Sequence, residues 1–178
     1  MSNIKHPASL ADPVTRRQVI VGAAVALASM AAGSRALGQN QLPAKETPGP
    51  VRTSLHYEAD YNASPQRIYD LLMDSKQFAA MTGRPADIDP KEGGAVSMFG
   101  GLIVGRNVEL VPNVRIVQAW RPTHWDAGIY SIVKFEFREA APQTRLVLDH
   151  MGFPVAEADA LDSGWKGHYL NPMAKFLG

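Results

Sequence analysis

The stretch Leu161–Leu177 constrains this chain more than any other. Leu161, Trp165, Tyr169, Met173 and Leu177 recur every fourth residue, with His168 and Phe176 beside that line. On a 3.6-residue period they form one broad apolar stripe. A helix striped this heavily has to bury that face. The segments before it are strand-like, with no second long helix to receive it. The spacing therefore predicts one terminal helix lying across a curved antiparallel sheet. Whether the space between them is filled or open decides what the domain can do. Gly164 and Gly167 each cost about 1 kcal/mol relative to Ala inside a helix. Pro172 removes a backbone donor and crowds the carbonyl of His168, at ~3 kcal/mol for an interior position. The expectation is a kink near His168–Pro172 that leaves a carbonyl free, with Asp162 or Ser163 capping a fresh helix.

The N-terminal third has a different character. Arg16-Arg17 stands just before the uncharged, Ala/Val-rich run Val19–Ala32, and Ala36-Leu37-Gly38 follows with small residues at the spacing a signal peptidase reads. That order is the logic of a twin-arginine signal peptide over 1–38, with Arg16 and Arg17 as its export signal. The run is too short for a comfortable membrane span. The expected location is the periplasm, with no stable membrane span after cleavage; the alternative is an uncleaved N-terminal anchor. Residues 39–50 carry Pro43, Pro48 and Pro50 among polar residues and read as a linker. The domain proper is expected over 51–178.

Removing the leader changes the charge. Four basic residues against one acidic give residues 1–38 a charge of +3, so the remainder of a +1 chain is −2. A near-neutral domain offers no electrostatic basis for binding nucleic acid. The chain has no cysteine, which excludes disulfides, thiolate nucleophiles and Cys-type metal sites.

Ser54–Tyr61 alternates in period two and reads as a strand. Ser64 then suits an N-cap and Pro65 a first helical position, ahead of a short stripe at Ile68, Leu71 and Leu72. Asp74-Ser75 opens a second short helix that Gly83 ends. Six further strands are expected: Ala86–Ile88, Ala95–Phe99, Leu102–Val111, Arg115–Arg121, Ile129–Arg138 and Thr144–Met151. Short turns such as Gly93-Gly94 and Gly100-Gly101 force antiparallel neighbours. Phase puts Thr144, Leu146, Leu148 and His150 on one face, with Arg145, Val147 and Asp149 opposite. It also puts Ile129, Ser131, Val133, Phe135 and Phe137 together, and Ile116, Gln118 and Trp120 inward. Arg106 is left open to either side. The fold class is α+β: a sheet of about six to seven strands wrapped round a long C-terminal helix, with two short helices after the first strand.

In order and spacing, several segments carry a family resemblance: Ser64–Tyr69, Gly93-Gly94, Phe99-Gly100-Gly101, Gly105, Arg115–Arg121, Trp125, Tyr130-Ser131, Thr144–Leu146, His150, Gly164-Trp165 and Tyr169–Met173. Together they resemble the activator of heat-shock-protein-90 ATPase homology family, within the START-like helix-grip superfamily (SRPBCC). The resemblance implies a helix-grip fold with an apolar cavity between sheet and helix. It also implies a range of roles that includes carriers, enzymes and co-chaperones. The leader departs from the family pattern, because heat-shock-protein-90 machinery uses ATP and the periplasm has none.

The five histidines show no i, i+2 or i, i+4 pairing, so no metal site is encoded locally, and no phosphate-loop or Gly-x-Ser-x-Gly pattern occurs. No cofactor is expected. The chemistry-bearing set is aromatic and imidazole: Trp120, His124, Trp125, Tyr130, Phe135, Leu148, His150, Trp165 and Tyr169 are the expected cavity residues, with His168 beside them. Large aromatics with a few polar tips suit a pocket for a small apolar or amphipathic molecule. The first reading is a non-enzymatic ligand-binding domain. The second is an enzyme using the same cavity with His150 as acid or base. The third is a co-chaperone-like protein-interaction module.

Overall fold

The computed structural model describes residues 51–178. The expected signal peptide, with Arg16 and Arg17, and the linker 39–50 lie outside the described residues. Strand β1 (Ser54–Tyr61) leads to helices α1 (Pro65–Met73) and α2 (Ser75–Thr82). Six strands follow: β2 (Asp87–Ile88), β3 (Ala95–Met98), β4 (Ile103–Val111), β5 (Arg115–Pro122), β6 (Ser131–Ala140) and β7 (Gln143–Met151). The seven strands form one antiparallel sheet in the order β1-β7-β6-β5-β4-β3-β2. Only β1 is out of sequence, joining the sheet against the last strand. Among the described residues no helix is long and apolar enough to cross a membrane.

Local chemistry explains the two short helices. Ser64 Oγ accepts from the Arg67 N–H at 3.2 Å, and Pro65 follows it at the start of α1. Asp74 Oδ1 accepts from the Gln77 N–H at 2.8 Å and opens α2. Gly83, with φ 70°, closes α2 in a left-handed conformation. Ile68, Leu71, Leu72, Phe78 and Met81 face the core.

The inward phase of β5, β6 and β7 is as expected: Ile116, Gln118, Trp120, Val133, Phe135, Phe137, Leu146, Leu148 and His150 are buried. Three differences have physical causes. Ile129 is 40% exposed, because β6 begins at Ser131, after a loop that includes Gly128 at φ 91°. Val147 is buried on the outer face, where the register sets it between Glu58 and Glu136 in a mesh of ion pairs that includes Arg145–Asp60 and Lys134–Asp149. A bulge between Asn107 and Glu109 shifts the phase of β4, so its inward positions run Gly105, Asn107 and then Leu110, opposite Trp120, Gln118 and Ile116, while Arg106 and Val108 face out. That bulge is why alternation left Arg106 undecided.

The C-terminal stripe is not one regular α-helix. A 3₁₀ turn (Val155–Glu157) leads into α3 (Ala158–Gly164), a π-helical stretch (Trp165–Leu170) and α4 (Asn171–Leu177). The Asn171 N–H reaches back five residues to the Lys166 carbonyl. The irregularity expected at Pro172 thus takes the form of a widened turn just before it. Neither Asp162 nor Ser163 caps a helix; both lie inside α3. The Asp162 carboxylate instead accepts from the Tyr57 hydroxyl at 2.5 Å and from Lys166 Nζ at 2.9 Å. Trp165, Tyr169 and Met173 are buried against the sheet, and His168 and Phe176 are exposed.

A candidate ligand pocket between the sheet and the C-terminal helix

The helix and the sheet do not close completely. Between α3, the π-helical stretch and the β3–β5 end of the sheet lies a pocket of about 310 Å³. Its floor is aromatic and buried: Phe99, Trp120, Trp165 and Tyr169. Leu102, Ile103, Pro122, Leu161 and Gly164 form the walls, and Arg84, His124, Glu157 and His168 stand at the mouth. The π turn brings Trp165, His168 and Tyr169 to this one place. Such turns are frequent at functional sites.

Phe99 reaches the floor through an unusual backbone. It has φ 57° in the turn before Gly100 and Gly101, a conformation that bulky residues rarely adopt. Its ring meets Phe78 and Tyr169 edge-on, each with centroids 5.4 Å apart.

Two buried polar chains fix the tryptophans. Trp120 Nε1–H donates to Gln118 Oε1 at 2.8 Å. Gln118 Nε2–H donates to Asn107 Oδ1 at 2.8 Å, and Asn107 Nδ2–H donates to the Asp89 carbonyl at 2.8 Å. Trp165 Nε1–H donates to His150 Nδ1 at 3.0 Å, His150 Nε2 meets Ser131 Oγ at 2.8 Å, and Ser131 donates to the Trp120 carbonyl at 3.3 Å. Because Nδ1 accepts, the proton of neutral His150 sits on Nε2. Burial pushes the His150 pKa down to about 4, so the ring is neutral near pH 7.

The expected cavity residues divide into four sets. Trp120, His124, Trp165 and Tyr169 line the pocket. Phe135, Leu148 and His150 are buried outside that lining, with Phe135 packed against Trp165 at 5.9 Å. Trp125 is buried within the β5–β6 loop, edge-on to His124, with its indole N–H unpartnered. Tyr130 is 46% exposed and faces a second hollow, of about 340 Å³, with Asp87, Asp89 and Arg106, beneath the guanidinium of Arg121. Sequence reasoning missed Arg84, Phe99, Leu102 and Glu157. Three of these sit in loops or turns, where periodicity carries no facing signal, and Phe99 read as the end of a strand.

At the mouth, His124 Nε2 lies 3.1 Å from Glu157 Oε2 and joins the β5–β6 loop to the turn before α3. Tyr169 donates its hydroxyl to Met98 Sδ at 3.1 Å, and burial raises its pKa well above the usual tyrosine range. Among the described residues no cluster of His, Asp and Glu is arranged to hold a metal. The arrangement can accept an apolar body against the aromatic floor and a polar group at the mouth.

Residues 62–178 match the family described as "Activator of Hsp90 ATPase homolog 1-like protein". The "Activator of 90 kDa heat shock protein ATPase homolog" of Dictyostelium discoideum is 31% identical over 133 residues, covering 74% of this chain and 34% of that protein. The chain spans about a third to under a half of the length of the curated relatives it matches, 34% to 44%. The crystal structure of an HSP90 activator from Plasmodium falciparum superposes with a TM-score of 0.69 at 26% identity, over 71% of this chain and 97% of that one. CalU16 from Micromonospora echinospora shares the fold, with a TM-score of 0.61 at 19% identity over 70% of this chain and 76% of the other.

Proposed function

The chain belongs to the Activator of Hsp90 ATPase homolog 1-like family, and within it we propose that this member is an exported, non-catalytic binding protein for a small apolar or amphipathic molecule. The observation that carries this reading is the pocket of about 310 Å³ with a buried aromatic floor. The chain's own side chains leave this space open between the helix and the sheet. The ring nitrogens of His150 are both engaged by Trp165 and Ser131, and the residue stands outside the pocket lining, which supports binding over acid–base catalysis. Export rests on the Arg16-Arg17 leader.

Native mass spectrometry of residues 39–178 purified from the periplasm tests the reading, paired with a denatured run. A reproducible added mass that disappears on unfolding is the expected result. A bare mass, together with no binding of any added apolar probe, would defeat it.

A second reading is activation of an HSP90 ATPase, favoured by the names of the Dictyostelium and Plasmodium relatives. Adding the mature domain to a bacterial HSP90 tests it directly. Stimulated ATP hydrolysis would transfer the relatives' named activity to this chain.

A further inference from the structure

We propose that the pocket selects amphipathic anions: a monocarboxylate whose apolar chain of roughly ten heavy atoms lies on the Trp120–Trp165–Tyr169 floor and whose head group meets Arg84 at the mouth. The inference rests on the ligand-binding reading and specifies its ligand.

Charge at the mouth is the first argument. Four ionisable side chains stand there: Arg84, His124, Glu157 and His168. Glu157 is the one carboxylate among them, and His124 already engages it at 3.1 Å. Arg84 makes no ion pair among the described residues, so its planar donor fork is available to a carboxylate. The exposed imidazole of His168 stands on the same rim as a second donor. Asp159 and Asp162 of α3, flanking the wall residues Ala160 and Leu161, are engaged with Arg52 and with Tyr57, Lys166 and Arg52. An amine head would have to share the one carboxylate at the mouth with His124.

Size is the second argument. At ~30 Å³ for each water-sized group, 310 Å³ holds about ten such groups. That matches the body of a medium-chain acid.

Gly164 is the third. It lies in a helix, where Gly costs about 1 kcal/mol relative to Ala. A Cβ built there meets nothing within 4 Å, and the residue is part of the pocket wall. Packing does not demand a glycine at this position; a side chain would project into the space the ligand uses. We infer that Gly164 is kept small for occupancy.

Decanoate, decanol and decylamine share one chain and differ in head group. Each is titrated into residues 39–178 below its aggregation threshold, read by tryptophan fluorescence and by calorimetry. The expected result is decanoate binding roughly tenfold tighter than decanol, as a charge-assisted pair at a partly exposed site would give. The advantage shrinks in high salt. Arg84→Gln removes the decanoate advantage and leaves decanol unchanged. Arg84→Glu shifts the preference to decylamine. Gly164→Leu closes the pocket to all three, and Ala160→Phe, exposed on the same wall, is the second closing variant should the first not fold.

Equal binding of decanoate and decanol, both lost in a closing variant, would leave the pocket reading standing and overturn the anionic preference. No binding by any probe, or binding untouched by both closing variants, would overturn the pocket reading and this inference with it.

Discussion

Trp120 of β5 and Trp165 of the π-helical stretch stack with ring centroids 4.9 Å apart and planes 20° apart. The stack is the join between sheet and helix, and the indole N–H of each ring is held by its own buried chain. The two rings therefore form a fixed surface on which a ligand can lie without reorganising the core. Truncating Trp165 removes the stack, leaves His150 Nδ1 without its donor and opens a cavity. Trp165→Ala is expected to cost about 3–5 kcal/mol, read as a fall in melting temperature of roughly 10 °C or more. A loss under about 1 kcal/mol would mean that the stack does not hold the helix to the sheet.

His150 makes stability depend on pH in a defined window. Burial lowers its folded pKa from 6.5 to about 4. The unfolded chain then binds a proton that the folded protein refuses, so stability is full above about pH 6.5 and is lost as pH falls toward 4. The gap is worth about 3 kcal/mol. Asp60, Asp149 and Asp162, whose pKa values are also lowered by their partners, add loss in the same direction at lower pH. Denaturant melts from pH 7 to 4 should show a steep fall between 6.5 and 4 that His150→Gln flattens. An unchanged slope in that variant would mean that His150 does not set the pH dependence in this window.

Much of the fold was legible because its strands are half-buried and alternate cleanly. Ile116, Gln118 and Trp120, and the inward residues of β7, follow from period two alone. The caps at Ser64 and Asp74 were readable because capping is a local hydrogen bond. The bulge at Asn107 was not, since nothing in the residue types marks one extra residue in a ladder. The site was half legible for a related reason. Trp120, Trp165 and Tyr169 sit on periodic elements, whereas Arg84, Leu102 and Glu157 reach the pocket from loops and a turn. Asp162 shows the limit of local logic. A cap residue by sequence, it serves a partner 105 positions away.

That partner is Tyr57, whose hydroxyl donates to Asp162 Oδ1 at 2.5 Å. Arg52 reaches the same helix through Asp159 and Asp162. These contacts tie the edge strand β1 to α3, one wall of the pocket. Burial and the neighbouring Asp162 carboxylate push the Tyr57 pKa well above the usual tyrosine range, so the hydroxyl stays a donor. Tyr57→Phe leaves the ring in place and removes that donor. The expected loss is about 1–2 kcal/mol, toward the low end because Asp162 is partly exposed. Amide exchange should rise in α3 more than in β5. A uniform change across the domain would show that the contact does not anchor α3 in particular.

Export can be separated from everything else by two residues. Arg16-Arg17 precedes an apolar run ending near Ala32, and Ala36-Leu37-Gly38 follows it. A twin-arginine route carries folded proteins, so a domain loaded with ligand in the cytoplasm would cross with that ligand inside. Replacing both arginines by lysine keeps the charge and removes the guanidinium forks. The full chain with Arg16→Lys and Arg17→Lys is expected to accumulate as precursor in the cytoplasm, while the unsubstituted chain yields mature protein in the periplasmic fraction. Native mass spectrometry of the trapped precursor then reports where loading occurs: the same added mass as the exported protein places it before export, and a bare mass places it after. Undiminished periplasmic protein from the doubly substituted chain would refute the twin-arginine reading and leave the pocket to be explained in another compartment.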